Sequence, residues 1–231
     1  MRVTVSFAQT LDGRIATSSG DSQWIGGPES LCIAHGLRAT HDAVLVGVGT
    51  VIKDNPRLTT RLVKGPSPLR VVADSRLRTP AGANVLADGA AKTLLVTTDQ
   101  APSEQRGRIE ATGVQLETAR RDEEGQVDIE HLVQLLAGRG VQSLLVEGGA
   151  GMITSVLRAG LCQRLVVCVA PKIVGRGIEA VGELGIARLR DALTLTNVRM
   201  SPCGADFIFE ASIAPTRVRS PSPSGGGSGW R

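Results

Sequence analysis

Aromatic residues make up 2% of this 231-residue chain, and tyrosine is absent. Proteins that grip single-stranded nucleic acid stack bases on aromatic side chains, so the scarcity argues against that class. Any core must be built from Val, Leu, Ile and Ala. Histidine is scarce as well: His35, His41 and His131 are scattered and match no zinc-ligand spacing. Cys32, Cys162, Cys168 and Cys203 form no C-x-x-C pair and read as free thiols of a reducing compartment. No apolar run approaches the roughly 18 residues that a membrane-spanning helix needs. The first residues, MRVTVSFAQTLDG, enter an alternating strand pattern without a signal-peptide core. These absences lead to the expectation of a soluble, cytoplasmic protein. Also missing are the G-x-S-x-G elbow of serine hydrolases and the H-x-E with P-C-x-x-C of zinc deaminases. The net charge of +4 comes from 26 basic and 22 acidic residues without a dense basic run. That suits an anionic small molecule better than a nucleic acid.

What the chain has is a series of short Val/Leu-rich runs: RVTVSFA from Arg2, AVLVGVG from Ala43, LRVVAD from Leu69, TLLVTT from Thr93, SLLVEGG from Ser143 and RLVVCVAP from Arg164. Continuous runs of this kind fit strands covered on both faces, as in a parallel sheet. Helical segments fall between several of them. One carries Pro28 near its start, one has Asp128 as a candidate N-cap, and one ends at Gly160. The alternation predicts an α/β fold with a mostly parallel sheet and helices on both faces. The end differs: DALTLTNVRMSPCGADFIFEASI alternates around an SPCGAD turn and predicts an antiparallel hairpin. One domain is expected over residues 1–213, with a disordered Pro/Ser/Gly-rich tail over 214–231.

Ligands of open α/β sheets bind outside the carboxyl ends of the strands. Thr10 and Asp12, Thr50, Asp54 and Asn55, Ser75 and Arg76, and the Gly148–Gly151 elbow follow the strand runs. The elbow leads into a helix whose first N–H groups and dipole favour an anion such as pyrophosphate; the alternative is a tight turn requiring positive φ. For Asp12 a turn role before Gly13 is the simpler reading. His35 reads as a surface or packing residue.

AQTLDGRIAT, GDSQWIGGPES, HGLRATHDAVLVGVGTVIKDNPRLTTR, PLRVVADSRLRTP, SLLVEGGAGMITSVL and VAPKIVGRG occur in order over about residues 3–210. Together they resemble the pyrimidine reductases of riboflavin biosynthesis, whose fold is similar to dihydrofolate reductase. The resemblance implies NADPH-dependent reduction of the ribosylamino side chain of a pyrimidine 5′-phosphate to ribitylamino. It implies cofactor contacts at Ala8, Trp24, Thr50, Asp54 and Ser75, and along Gly149, Ala150, Gly151, Met152, Ile153, Thr154 and Ser155. Arg76, beside Ser75, is a candidate for the 2′-phosphate. Substrate contacts are implied at Ser22, Arg38, Leu58, Arg61 and Glu147. Arg38 and Arg61 would act as phosphate clamps, Glu147 as the main electrostatic residue and Asp54 as a secondary one. A homodimer is implied, with no nucleic-acid or membrane partner.

Three features depart from common family patterns. Ser6 stands where many bifunctional members carry Lys, GGAGM where GGPTL is common, and a preceding deaminase domain is not expected. The start, SFAQTLDG, looks more like the stand-alone reductases. The competing readings are a reductase of a pterin or dihydrofolate-like substrate and a non-catalytic NADPH-binding protein.

Overall fold

The computed structural model describes residues 1–213; the tail expected to be disordered, 214–231, lies outside the described residues. In chain order the strands are β1 (Arg2–Thr10), β2 (Arg14–Thr17), β3 (Ala43–Gly47), β4 (Leu69–Ala73), β5 (Thr93–Thr97), β6 (Gln115–Thr118), β7 (Ser143–Glu147), β8 (Arg164–Ala170), β9 (Gly177–Glu179), β10 (Leu195–Cys203) and β11 (Asp206–Ile213). The helices are α1 (Pro28–Ala39), α2 (Val48–Asp54), α3 (Asn84–Ala87), α4 (Ser103–Glu110), α5 (Ile129–Gly138) and α6 (Ala150–Arg158).

One nine-stranded sheet runs in the order β10-β11-β8-β1-β7-β3-β4-β5-β6. From β8 to β6 the strands are parallel, as the apolar runs predict. β11 lies antiparallel to β8, and β10 antiparallel to β11, forming the predicted hairpin. β2 and β9 pair in a separate small ribbon.

The strands alternate between two apolar clusters, one on each face. Val44 and Val46 pack with Leu37 of α1, Val51 of α2, Val85 of α3 and Ile109 of α4. Ala43 and Leu45 pack on the other face with Leu132 and Leu136 of α5 and Ile153, Val156 and Leu157 of α6. Both faces are dry, which is why the strand runs show no polar alternation. The expected N-cap of α5 is present: Asp128 Oδ1 accepts from the backbone N of Glu130 (2.9 Å) and His131 (3.1 Å). Such a cap contributes about 1 kcal/mol.

A buried cation stands inside this frame. Arg70 is 1% exposed. It donates from Nη1 to Asp88 Oδ1 (2.7 Å), from Nε to Thr93 Oγ1 (2.9 Å) and from Nη2 to the Ala91 carbonyl (2.7 Å). Nη1 also reaches the Arg57 carbonyl at 3.2 Å, so it ties the α3 region to the loop after α2. Arg70→Met strands the Asp88 carboxylate and should lower unfolding stability by about 3–5 kcal/mol, read from urea denaturation.

Candidate functional site

A cleft of about 1000 Å³ opens along the carboxyl ends of β1, β3, β4 and β7, where ligands of open α/β sheets bind. One wall begins at β7. Gly148 and Gly149 follow with φ of 70° and 79°, a left-handed pair that only glycine adopts without strain. They let the chain turn directly from the strand into α6. The first intrahelical bond of α6 runs from Ile153 N to Gly149 O. The N–H groups of Ala150, Gly151 and Met152 therefore precede the ladder, and no side chain caps them. Thr50 of α2 faces the elbow: a Cβ on Gly149 would sit 3.2 Å from its Oγ1.

The cleft lining includes Ala8, Ser22, Trp24, Thr50, Asp54, Leu58, Ser75, Gly149, Ala150, Gly151, Met152 and Ser155 from the sequence reading, together with Arg38, Arg61 and Glu147. It does not include Ile153, Thr154 or Arg76. Ile153 is fully buried in the core beneath α6. Thr154 Oγ1 donates to the Ala150 carbonyl (2.6 Å) and accepts from Gly182 N (2.8 Å). The helical turn carries these two side chains away from the cleft face. Arg76 is exposed and lies outside the lining. Ser75 is buried, accepting from Val127 N (3.0 Å) and donating to Gln126 Oε1 (3.1 Å).

Arg38 and Glu147 are each other's partners. Arg38 Nε donates to Glu147 Oε1 (2.8 Å) and Nη2 to Oε2 (2.6 Å), a two-pronged pair with both side chains largely buried. Nη1 reaches the Thr59 carbonyl at 3.3 Å. Three of the five guanidinium N–H donors are thus committed inside the protein. The carboxylate keeps lone pairs for a ligand. Desolvation opposes the charge on Arg38, and Glu147 outweighs it, leaving the Arg38 pKa raised. Ser6 stands beside Glu147 in the β1–β7 register.

The loop from Asn55 to Arg61 forms the other wall. Asn55 and Leu58 have φ of 41° and 53°. Asn55 Oδ1 accepts from Asn84 N (2.8 Å), and Arg70 holds the Arg57 carbonyl. Arg61 Nη1 donates to Thr59 Oγ1 (2.7 Å), and Arg61 N donates to Nδ1 of His35 (2.8 Å). His35 is therefore a buried wall residue, 4% exposed, rather than a surface one. Burial, with Arg38 and Arg61 adding to it, lowers its pKa, so the ring is neutral at pH 7 with its proton on Nε2.

Arg57 and Lys53, given no site role from the sequence, also line the cleft. Lys53 lies near the end of α2 and Arg57 in the loop that follows it. Asp54 loses solvent at the cleft mouth. That raises its pKa, against the opposing pull of Lys53 and a hydrogen bond from Ser22. Asp12 takes the turn role expected of it. Its carboxylate accepts from Thr10 Oγ1 (2.6 Å) and Gly175 N (2.7 Å), and these bonds lower its pKa to about 2. Among the described residues no group of three or more His, Cys, Asp and Glu could hold a metal ion, and no helix is long and apolar enough to cross a membrane.

A family model described as the RibD C-terminal domain matches residues 1–209. The chain is 37% identical over 208 residues to a riboflavin biosynthesis protein RibD of Aquifex aeolicus, covering 90% of this chain and 56% of that one. It is 38% identical over 217 residues to a 2,5-diamino-6-ribosylamino-4(3H)-pyrimidinone 5′-phosphate reductase of Methanothermobacter thermautotrophicus, covering 91% of this chain and 97% of that one. Among solved structures, a diaminohydroxyphosphoribosylaminopyrimidine deaminase/5-amino-6-(5-phosphoribosylamino)uracil reductase of Thermotoga maritima matches with a TM-score of 0.71 and 28% identity, over 92% of this chain and 56% of that one. The chain spans little more than half the length of the Aquifex and Thermotoga proteins and nearly all of the Methanothermobacter protein.

Proposed function

The chain belongs to the RibD C-terminal domain family, and from that premise we propose that it reduces the ribosylamino side chain of a pyrimidine 5′-phosphate to ribitylamino. Reductases of this family use a nicotinamide cofactor; here the cofactor is proposed to be NADPH, and residues 1–213 to be one reductase domain. The observation that carries the reading is a single cleft with two chemically different ends. One end offers free helix N–H groups at a glycine elbow, and the other offers guanidinium groups beside a buried carboxylate.

The glycine end fits a dinucleotide. A Cβ at Gly49 or Gly151 would meet nothing within 4 Å, so space lies open over both positions. The N–H groups of Ala150, Gly151 and Met152 would bind pyrophosphate oxygens, with Thr50 Oγ1 donating beside them. Trp24 would cover the cofactor and Ser75 would lie at its ribose end. When bound, the cofactor supplies a hydride.

The chain's own residues do the rest. Arg38 fixes the Glu147 carboxylate through two hydrogen bonds, so an acidic group is already in place where the opened sugar becomes a cationic imine. Because the field is preorganised around a largely buried ion pair, it favours the charged species without reorganisation. Asp54, with its raised pKa, holds a proton to higher pH than an ordinary aspartate. Arg61 and Arg57 hold the sugar phosphate, since the charge of Arg38 is already matched by Glu147.

Incubating the enzyme with NADPH and each of the two ribosylaminopyrimidine phosphates, 2,5-diamino and deaminated, should give oxidation with at least one. No oxidation with either would end the reading. Arg61→Gln and Arg57→Gln should each raise KM for the phosphorylated substrate about tenfold, with a smaller effect on kcat. A homodimer is part of the proposal. β10 is a long, solvent-facing edge strand, and Val198, Met200 and Phe207 of the hairpin are exposed. A second copy would cover them, and light scattering on the purified protein tests it.

A further inference from the structure

Residues Ser22 to Gly27 line the cleft yet contain no helix or strand of their own. Trp24 is 65% exposed over the opening. A segment without its own ladder must be placed by its surroundings, and two side chains from the β8–β11 part of the sheet do this. Lys172, just past β8, donates from Nζ to the carbonyls of Trp24 (2.6 Å) and Ile25 (2.9 Å). Its backbone is itself tied down: Lys172 N donates to Ala170 O, and Leu11 N donates to Lys172 O. Asp206, the first residue of β11, is 3% exposed. Its Oδ2 accepts from Gly27 N (2.6 Å), Ser30 Oγ (2.6 Å) and Cys168 Sγ (3.4 Å). Gly27 is the N-cap of α1, which has no side-chain cap of its own. Asp206 therefore serves as a remote anchor for the start of the helix that carries His35 and Arg38. The fit is close: a Cβ on Gly26 would lie 3.0 Å from Cys168 Sγ and 3.3 Å from Asp206 Oδ2.

We infer that Asp206 and Lys172 are positioning residues that hold the Ser22–Gly27 segment as a fixed cover, setting Trp24 against the cofactor. This rests on the proposed dinucleotide site. Neither residue lines the cleft, so both act through the segment. The hairpin thus has a second task besides extending the sheet: its turn delivers the carboxylate that locks the cover.

The test uses Asp206→Ala, Asp206→Asn and Lys172→Met in a Trp230→Phe background, where Trp24 is the sole tryptophan. Hydrogen exchange of the amides from Gln23 to Gly27 is measured without ligand. NADPH affinity and energy transfer from Trp24 to bound NADPH are measured by fluorescence. Losing a charge-assisted bond should weaken NADPH binding about tenfold in Asp206→Ala and Lys172→Met, with faster exchange confined to the segment and reduced transfer. Asp206→Asn should recover most of all three, because an amide oxygen still accepts from Gly27 N. Lys172 is exposed, so its variant decides the question even if Asp206→Ala fails to fold. Unchanged exchange in Lys172→Met overturns the pinning. Faster exchange with wild-type affinity and transfer overturns its connection to the cofactor. A wild-type protein that oxidises NADPH with neither pyrimidine counts against the reductase reading, while exchange still decides the pinning.

Discussion

Glu147→Gln should lower kcat/KM for the pyrimidine phosphate about 100-fold, the scale for removing one preorganised electrostatic group from a reacting centre. The substitution removes the charge from the carboxylate end of the cleft. It also places an amide N–H₂ against a guanidinium that now donates from Nε and Nη2 to two carboxylate oxygens. One acceptor is lost and one donor–donor clash is made. Arg38 is then a largely buried cation without its counter-charge, so thermal stability should fall too, by about 3–5 kcal/mol. The two effects separate in a double-mutant cycle. Arg38→Gln alone should cost much of the same activity, and the double variant far less than the product of the two singles, because the pair acts as one unit. Additive losses would mean that the two side chains work independently. A Glu147→Gln enzyme with wild-type kcat/KM would remove Glu147 from the chemistry.

The second large effect belongs to the elbow. Gly149 has φ 79° and ψ 111°, a conformation that costs a side-chain-bearing residue about 1–3 kcal/mol. Its missing Cβ would stand 3.2 Å from Thr50 Oγ1. Gly149→Val should therefore reduce NADPH affinity by about 10- to 100-fold, measured by fluorescence titration, and lower the melting temperature. Gly151→Ala separates ligand space from backbone strain. Position 151 lies within α6 at ordinary φ, and a Cβ there meets nothing. Gly→Ala in a helix stabilises by up to about 1 kcal/mol. If the pyrophosphate lies over α6, this variant melts higher yet binds NADPH more weakly. If affinity is unchanged, the anion lies elsewhere.

Much of the architecture was legible because its strands are dry on both faces. Runs such as AVLVG and SLLVE have no polar alternation to obscure them, and β3 and β7 lie where those runs predict. Elements with little to bury were harder to see. β6 reads QLET at the sheet edge, α4 places only Ile109 in the core, and α2 has only seven residues. At the site, the family resemblance brought forward residues that the fold gathers into one cleft. It could not show that Arg38 and Glu147, 109 positions apart, face each other. Nor could it show that α6 turns Ile153 and Thr154 inward. Asp206 was legible only as part of the SPCGAD turn: its partner Gly27 is 179 residues away, and only the packing of the hairpin against α1 joins them.

The place of β1 in the sheet bears on how the protein is made. β1 is made before every other described strand, yet its sheet neighbours are β7 and β8, which begin at Ser143 and Arg164. Strands β3 to β6 can pair among themselves while translation continues. β1 must wait for more than half of the chain, with Val3 and Val5 unsheltered until then. Non-local pairing of this kind slows folding and leaves apolar segments open to aggregation. Because Ser6 and Ala8 sit on that late-pairing strand, the cleft is completed only after β7 and β8 have been made.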